Sequence, residues 1–121
     1  MFLLGLFAAG GIGACARYLV DGLVLDHTSG ELPLGTLVIN VTGSLLLGFL
    51  TGLSLYHAFP ATAKIELGTG FCGGYTTFST FAYETIRLAE ERQTPAALRV
   101  LVASLVLPAL AAALGIALAG L

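Results

Sequence analysis

The charged residues of this 121-residue chain are confined to short segments, and four windows between these segments contain no charge. The windows are residues 1–16, 32–63, 67–83 and 100–121. A membrane-spanning helix needs about 20 consecutive, mostly apolar residues, so each window is close to or above the length of one span. We predict an all-α integral membrane protein, a single domain over residues 1–121, with four transmembrane helices at about 2–20, 34–57, 64–88 and 96–119.

Composition excludes several classes of protein. Only 10% of the residues are charged and 57% are hydrophobic, whereas a soluble domain has about 25% charged residues. The same hydrophobicity excludes a disordered chain, and the net charge of −2 offers no basic face for nucleic acid. Cys15 and Cys72 belong to no metal-binding or disulfide motif. Because the chain has no paired nucleophile and base, we do not expect an enzyme.

Small residues recur four apart in three of the windows. This spacing lets two helix backbones approach closely, either within one subunit or between two, and the sequence leaves both alternatives open. The pairs are Gly10 with Ala14, Gly48 with Gly52, and Gly70 with Gly74.

Asn40 stands in the middle of the second window, with Thr36 one turn earlier on the same helix face. An amide at bilayer depth is costly unless its donors and acceptor are paired. Two interpretations of Asn40 therefore stay open: it bonds another helix, or it faces a polar pathway.

The third window is a poor continuous helix. Four glycines within residues 68–74 precede four hydroxyl-bearing residues within residues 76–80. We expect a break near Gly73–Thr77, and irregular backbone at membrane depth is tolerated only where protein buries it or where it lines a cavity. The alternative is a glycine-rich packing face on an unbroken helix.

Two aromatic residues follow the expected break. Phe78 and Phe81 are three apart, hence on one helix face, and Glu84 is three residues further on. An aromatic ring has a positive edge, so two ring edges in a narrow dry slot would replace part of the water around a small anion.

Polar residues also stand in the first and fourth helices. Arg17 ends the first, and its charge would either lie at the membrane interface or attract anions to a pore mouth. Ser104 is the one hydroxyl of the fourth window and would bond its own backbone or line a path. We expect Pro108, one turn later, to kink the helix.

Three of these segments together resemble signature sequences of the Fluc/CrcB family of fluoride channels. The segments are Gly10–Tyr18, Gly35–Ser44 and Gly70–Phe81, the last of which is long and unusual. Glu84 follows at the family's usual place, and the length and four-helix layout also agree. The resemblance covers essentially the whole chain.

The resemblance implies a fluoride-selective passive channel in the inner (plasma) membrane of a prokaryote, which exports cytoplasmic fluoride. It implies an antiparallel dual-topology homodimer with two fluoride pathways. A structural sodium ion at its centre would be held by backbone carbonyls that match Gly73 and Thr76. The residues that match the family's pathway are Arg17, Thr36, Asn40, Phe78, Phe81 and Ser104, with Glu84 in a possible vestibule.

The fourth helix departs from the family pattern, because it has no tyrosine and carries Pro108 where the family has a glycine. One subunit of a heterodimeric fluoride channel is therefore an alternative. A small dual-topology multidrug or cation exporter is another, although such a transporter needs an embedded carboxylate and helix one has none before Asp21. A non-transporting accessory subunit would explain the glycines but not residues 76–81.

Overall fold

The computed structural model describes residues 1–30 and 32–121, and every regular element in these ranges is a helix. Three of the helices, α1, α2 and α6, are long and apolar enough to cross a membrane. The prediction of an all-helical chain is therefore confirmed. The elements are α1 (Phe2–His27), α2 (Leu34–Tyr56), α3 (Ala61–Lys64), a π-helical segment (Ile65–Cys72), α4 (Gly73–Tyr75), α5 (Ser79–Glu90) and α6 (Thr94–Ala119).

The first helix is longer than predicted, since α1 continues past residue 20 to His27. Asp21, which lies beyond the predicted end of this helix, is helical, and its carboxylate lies over Gly35 of α2, where the absence of a side chain leaves room for it. The Thr28 hydroxyl donates to the Val24 carbonyl at 2.6 Å and closes the end of the helix. The connection between α1 and α2 is thus residues 28–33, of which residue 31 lies outside the described part.

The second and fourth predicted helices agree with α2 and α6 to within two residues at each end. Pro95 lies in the first turn of α6, where its missing N–H has no helical partner to lose. Pro108 lies inside α6, and the helix continues through it to Ala119.

The third predicted span, residues 64–88, is not one continuous helix. It begins with α3, widens into the π-helical segment, and ends its first half with α4 at Tyr75. Thr76 is extended, with φ −81° and ψ 161°, and α5 begins only at Ser79. The expected break near Gly73–Thr77 is present: it lies at residues 76–78, among the hydroxyl-bearing residues, whereas the glycines before it are helical.

The glycines instead mark where helices touch. A Cβ on Gly48 would collide with the backbone of Ala112 in α6, and one on Gly74 would collide with the Gly10 carbonyl in α1. The most extensive contacts are those of α2 with α6 and of α1 with the π-helical segment. Small residues therefore bring helices of one chain together, which is the first of the two alternatives left open by the sequence.

The outside of the molecule is apolar and its core is small. Leu88 and Ile39 are almost fully buried, whereas large side chains such as Leu19, Leu105 and Leu110 are exposed. A soluble domain covers its outside with polar groups, so this arrangement suits a protein surrounded by lipid.

Candidate functional site

Asn40 is bonded to the backbone at the break. Its Nδ2 donates to the Thr77 carbonyl at 2.8 Å, and its Oδ1 accepts from the Thr77 N–H at 2.9 Å. An interrupted helix leaves backbone groups without helical partners, and an amide side chain can pair one donor and one acceptor at once. Asn40 therefore holds the break, and one N–H of its amide remains beyond the bond to Thr77.

Arg17 reaches the same break from α1. Its Nη1 donates to the Thr76 carbonyl at 3.2 Å, across 59 positions of sequence. The guanidinium is half-buried, and no carboxylate within the described ranges forms a salt bridge with it. A positive charge thus lies beside the extended backbone. The prediction that Arg17 ends the first helix is wrong, since α1 continues past it to His27.

The hydroxyls of the break connect the two halves of the third segment. The Thr76 hydroxyl donates to the Cys72 carbonyl at 2.8 Å and completes the end of the first half. The Thr77 hydroxyl accepts from the Thr80 N–H at 3.2 Å and caps the start of α5. These short hydroxyl residues make the interruption stable because they replace helical bonds locally.

A cavity of about 300 Å³, which we call the aromatic cavity, lies next to the break. It is bounded by α2, the π-helical segment, the break, α5 and α6. Six of the predicted site residues meet here: Asn40, Phe78, Phe81, Ser104, Gly73 and Thr76. Its other lining residues are Gly43, Ser44, Leu47, Gly68, Cys72, Thr77, Leu105 and Pro108.

The two phenylalanines meet edge to face in this cavity. Their ring centroids are 5.5 Å apart and the ring planes are inclined by 74°. Phe81 is 5% exposed, whereas Phe78 is 74% exposed in the single chain. One ring is thus fixed by its surroundings, and the other leaves a large apolar surface uncovered.

Thr36 and Glu84 lie outside the aromatic cavity. The Thr36 hydroxyl, in a residue 4% exposed, donates to Glu84 Oε1 at 3.1 Å. Glu84 Oε2 is buried and has no hydrogen-bond partner among the described residues. Both side chains line a second cavity of about 400 Å³, the carboxylate cavity, together with Asp21.

Arg17 lines a third cavity of about 300 Å³, the arginine cavity. This cavity shares Asp21 and Thr36 with the carboxylate cavity, and it shares Thr77 with the aromatic cavity. The three cavities therefore form a series with the break between the last two. Sequence reasoning missed Asp21 as a lining residue, although it is the first charge after Arg17.

Sequence reasoning also missed what holds Tyr75. Its hydroxyl bonds the Thr42 hydroxyl at 2.8 Å, and its ring stacks on Phe71 with centroids 5.6 Å apart. These contacts fix the last residue before the break to α2. The only signal in the sequence is that Tyr75 lies beside the hydroxyl-rich run.

Comparison with known proteins agrees with this architecture. Residues 4–116 match the family described as CrcB-like protein, Camphor Resistance (CrcB). A Leifsonia xyli protein named fluoride-specific ion channel FluC 1 is 49% identical over the whole chain and 88% of its own length. A Mycobacterium bovis protein named fluoride-specific ion channel FluC 2 is 49% identical over 93% of this chain and 86% of its own.

A third relative, from another organism, matches a shorter part of the chain at similar identity. A Methanocaldococcus jannaschii protein named fluoride-specific ion channel FluC is 48% identical over 74% of this chain and 70% of its own length. The family match includes every residue named above as lining the three cavities. This chain belongs to the CrcB family of membrane proteins.

Proposed function

We propose that this protein is not an enzyme but a fluoride-selective passive anion channel. The observation that carries the proposal is the aromatic cavity, in which an amide, two phenylalanine rings and a serine hydroxyl meet beside a broken helix. Membership of a family whose curated relatives are named fluoride-specific ion channels favours a channel over a multidrug exporter.

The chemistry of the cavity suits a small anion. Fluoride is strongly hydrated, and its main barrier to entering a membrane is the loss of that water. The remaining N–H of Asn40, the Ser104 hydroxyl and the positive ring edges of Phe78 and Phe81 would replace part of it. In the proposed pathway the two ring edges would form a slot that is too narrow for chloride.

The order of the cavities suggests a route. An anion would pass the arginine cavity, where Arg17 supplies the positive charge, before it reaches the aromatic cavity on the other side of Thr77. Glu84 and Asp21 bound the carboxylate cavity at the other end of the series. We therefore propose that Arg17 and Thr36 line the fluoride pathway and that Glu84 lies in its vestibule.

We infer that the working unit is an antiparallel dual-topology homodimer, with four membrane spans in each chain. The third span would be α3 to α5, with its break inside the protein. Phe78 is 74% exposed and Gly73 is exposed at the edge of the aromatic cavity, so a second chain would complete the cavity there. A heterodimer of related chains is the alternative.

The backbone at the break fits a sodium ion. A Cβ on Gly73 would meet nothing within 4 Å, so its backbone is open to approach. Thr76 is extended, and its carbonyl oxygen keeps a lone pair beyond its bond from Arg17. Neutral oxygens suit a hard cation, and carbonyls of Gly73 and Thr76 from two chains would hold a sodium ion that braces the dimer.

The direction of transport would follow from the membrane potential. In the inner membrane of a prokaryote the inside is negative, and each elementary charge gains about 2.3 kcal/mol per 100 mV on leaving. An open anion pathway would therefore export cytoplasmic fluoride without any coupled reaction.

Fluoride efflux from liposomes that contain only this purified protein tests the proposal. A potassium ionophore dissipates the voltage, a fluoride electrode records release, and chloride efflux is measured in parallel. Fast fluoride release without chloride release is expected. Absence of fluoride release from well-folded protein would contradict a self-sufficient homodimer, and recovery of release with a second related chain would establish the heterodimer.

A further inference from the structure

Ser44 occupies a place in the aromatic cavity to which the function proposed above gives no role. It follows Asn40 by four residues on α2, which puts both side chains on one face of the helix, one turn apart. Both residues line the aromatic cavity together with Ser104 of α6. The cavity thus has a hydroxyl-bearing residue on each of two facing helices.

Half-buried hydroxyls of α2 and α5 that do not line the aromatic cavity are bonded to their own helix. Thr51 and Ser54 of α2 donate to the carbonyls four residues earlier, at 2.8 and 3.2 Å. Thr85 of α5 does the same at 2.8 Å. Such back-bonding is the usual way for a hydroxyl to be satisfied in an apolar helix.

Ser44 departs from this pattern. Neither the Ser44 hydroxyl nor the Ser104 hydroxyl has a hydrogen-bond partner within residues 1–30 and 32–121, although each residue is half-buried. A hydroxyl that is free to turn toward a cavity can donate its proton to whatever occupies the cavity. Two such hydroxyls in one cavity form a place where an ion or water is expected.

The groups beside the two serine hydroxyls favour an anion there, whereas the Gly73 and Thr76 carbonyls of the same cavity are the ones assigned above to sodium. No charged residue is among the described residues that line the aromatic cavity. The remaining Asn40 N–H is a donor, and the edges of Phe78 and Phe81 are positive. A hydroxyl among donors and positive edges donates, and hydrogen bonds to a charged partner are about twice as strong as neutral ones.

We propose that Ser44 is a ligand for the permeating anion, at a position between the Ser44 and Ser104 hydroxyls, one helical turn beyond Asn40. The ligand is a small unprotonated halide, which is fluoride for this channel. The proposal rests on the proposed function and adds a residue on α2 to a pathway otherwise assigned to Asn40, the two phenylalanines and Ser104.

The test compares two serines of the same helix. Ser44→Ala removes the free hydroxyl, and Ser54→Ala removes a hydroxyl that is bonded to Leu50 and is not among the residues that line the aromatic cavity. Liposome efflux of fluoride is measured for both variants and for the unmodified protein. We expect about tenfold slower efflux for Ser44→Ala, which corresponds to about 1.4 kcal/mol, and an unchanged rate for Ser54→Ala.

Each other outcome has a defined meaning. Equal rates for Ser44→Ala and the unmodified protein, or equal losses in the two variants, would overturn the role of Ser44 and leave the channel intact. If Ser44→Ala does not elute as a folded protein, Ser44→Cys keeps the size and a weak donor. That variant should conduct at an intermediate rate, and an unchanged rate would overturn the proposal. No fluoride efflux from the unmodified protein would overturn the channel itself.

Discussion

The α2–α6 contact differs in kind from the contact around the break of the third segment. Close approach of two backbones forms the first, whereas side-chain hydrogen bonds to the backbone form the second. In the first, Gly48 lets the backbone of Ala112 approach so closely that a Cβ has no room. In the second, the backbone of Thr76 and Thr77 is held at a distance by the side chains of Arg17 and Asn40.

Because of this difference, we expect one region to determine stability and the other to determine ion flux. Backbone contact through glycine gives dense packing between helices. Side-chain bonds to an irregular backbone leave room beside it, and the aromatic and arginine cavities occupy that room. We therefore expect substitutions in the first region to change stability, and substitutions in the second to change ion flux with the fold retained.

The largest effect is expected for Asn40→Asp. Aspartate still accepts from the Thr77 N–H but has no proton for the Thr77 carbonyl, and it adds a negative charge to an anion path. We expect fluoride efflux to fall at least about a hundredfold. Thr51→Ala, whose hydroxyl is bonded to Leu47 on the same helix, serves as the control and should conduct normally. Normal efflux with Asn40→Asp would show that Asn40 has a purely structural role.

A smaller but still large loss of fluoride efflux is expected for Phe81→Ile. Isoleucine fills the buried position but has no positive ring edge and cannot form the edge-to-face contact with Phe78. Fluoride efflux should fall at least about tenfold, while gel filtration shows an unchanged oligomer. Phe7→Ile on the exposed side of α1 controls for loss of an aromatic residue. Equal efflux from both variants would exclude the ring edges from the mechanism.

The same comparison explains which parts of the fold could be predicted from the sequence. Helices α2 and α6 are continuous and apolar, so length and composition fix their bounds. Helix α1 exceeded its prediction because Asp21 is accommodated by Gly35 of another helix. That contact joins residues far apart in sequence, and no local pattern reveals it.

In the candidate site, too, the local features could be predicted from the sequence, but the contacts between distant residues could not. The run after residue 75 predicted a break, and spacing placed Phe78 and Phe81 on one face, as observed. The pairing of Thr36 with Glu84, and of Arg17 with the Thr76 carbonyl, depends on how four elements cross. The prediction used the glycines of the third segment as well as the hydroxyls, but the glycines are helical, because glycine serves close packing as well as irregular backbone.

A moderate loss of stability is expected for Gly48→Ala. The added methyl group would meet the Ala112 backbone, which cannot move without separating α2 from α6. Overpacking of this kind costs about 1–3 kcal/mol. The matched control is Gly11→Ala in α1, where a Cβ would meet nothing within 4 Å and the higher helix propensity of alanine applies. Thermal unfolding in detergent should show a lower midpoint for the first variant only. Equal midpoints would mean that α2 and α6 are less closely packed than described.

The smallest loss of stability is expected for His57→Phe, at the end of the α2–α6 contact, where a side-chain hydrogen bond adds to the glycine contacts. His57 Nε2 donates to the Ala119 carbonyl at 2.8 Å, a side-chain bond between elements otherwise joined by glycine contact. His57→Phe keeps a ring but removes the donor, and loss of one such bond costs about 0.5–1.5 kcal/mol. His27→Phe is the control, because the His27 ring bonds Leu23 within its own exposed helix end. Its unfolding midpoint should barely change, whereas that of His57→Phe should fall, with fluoride efflux unchanged in both. Slower efflux with His57→Phe would mean that the α2–α6 contact also controls the pathway. The expectation that this contact affects stability alone would then be wrong.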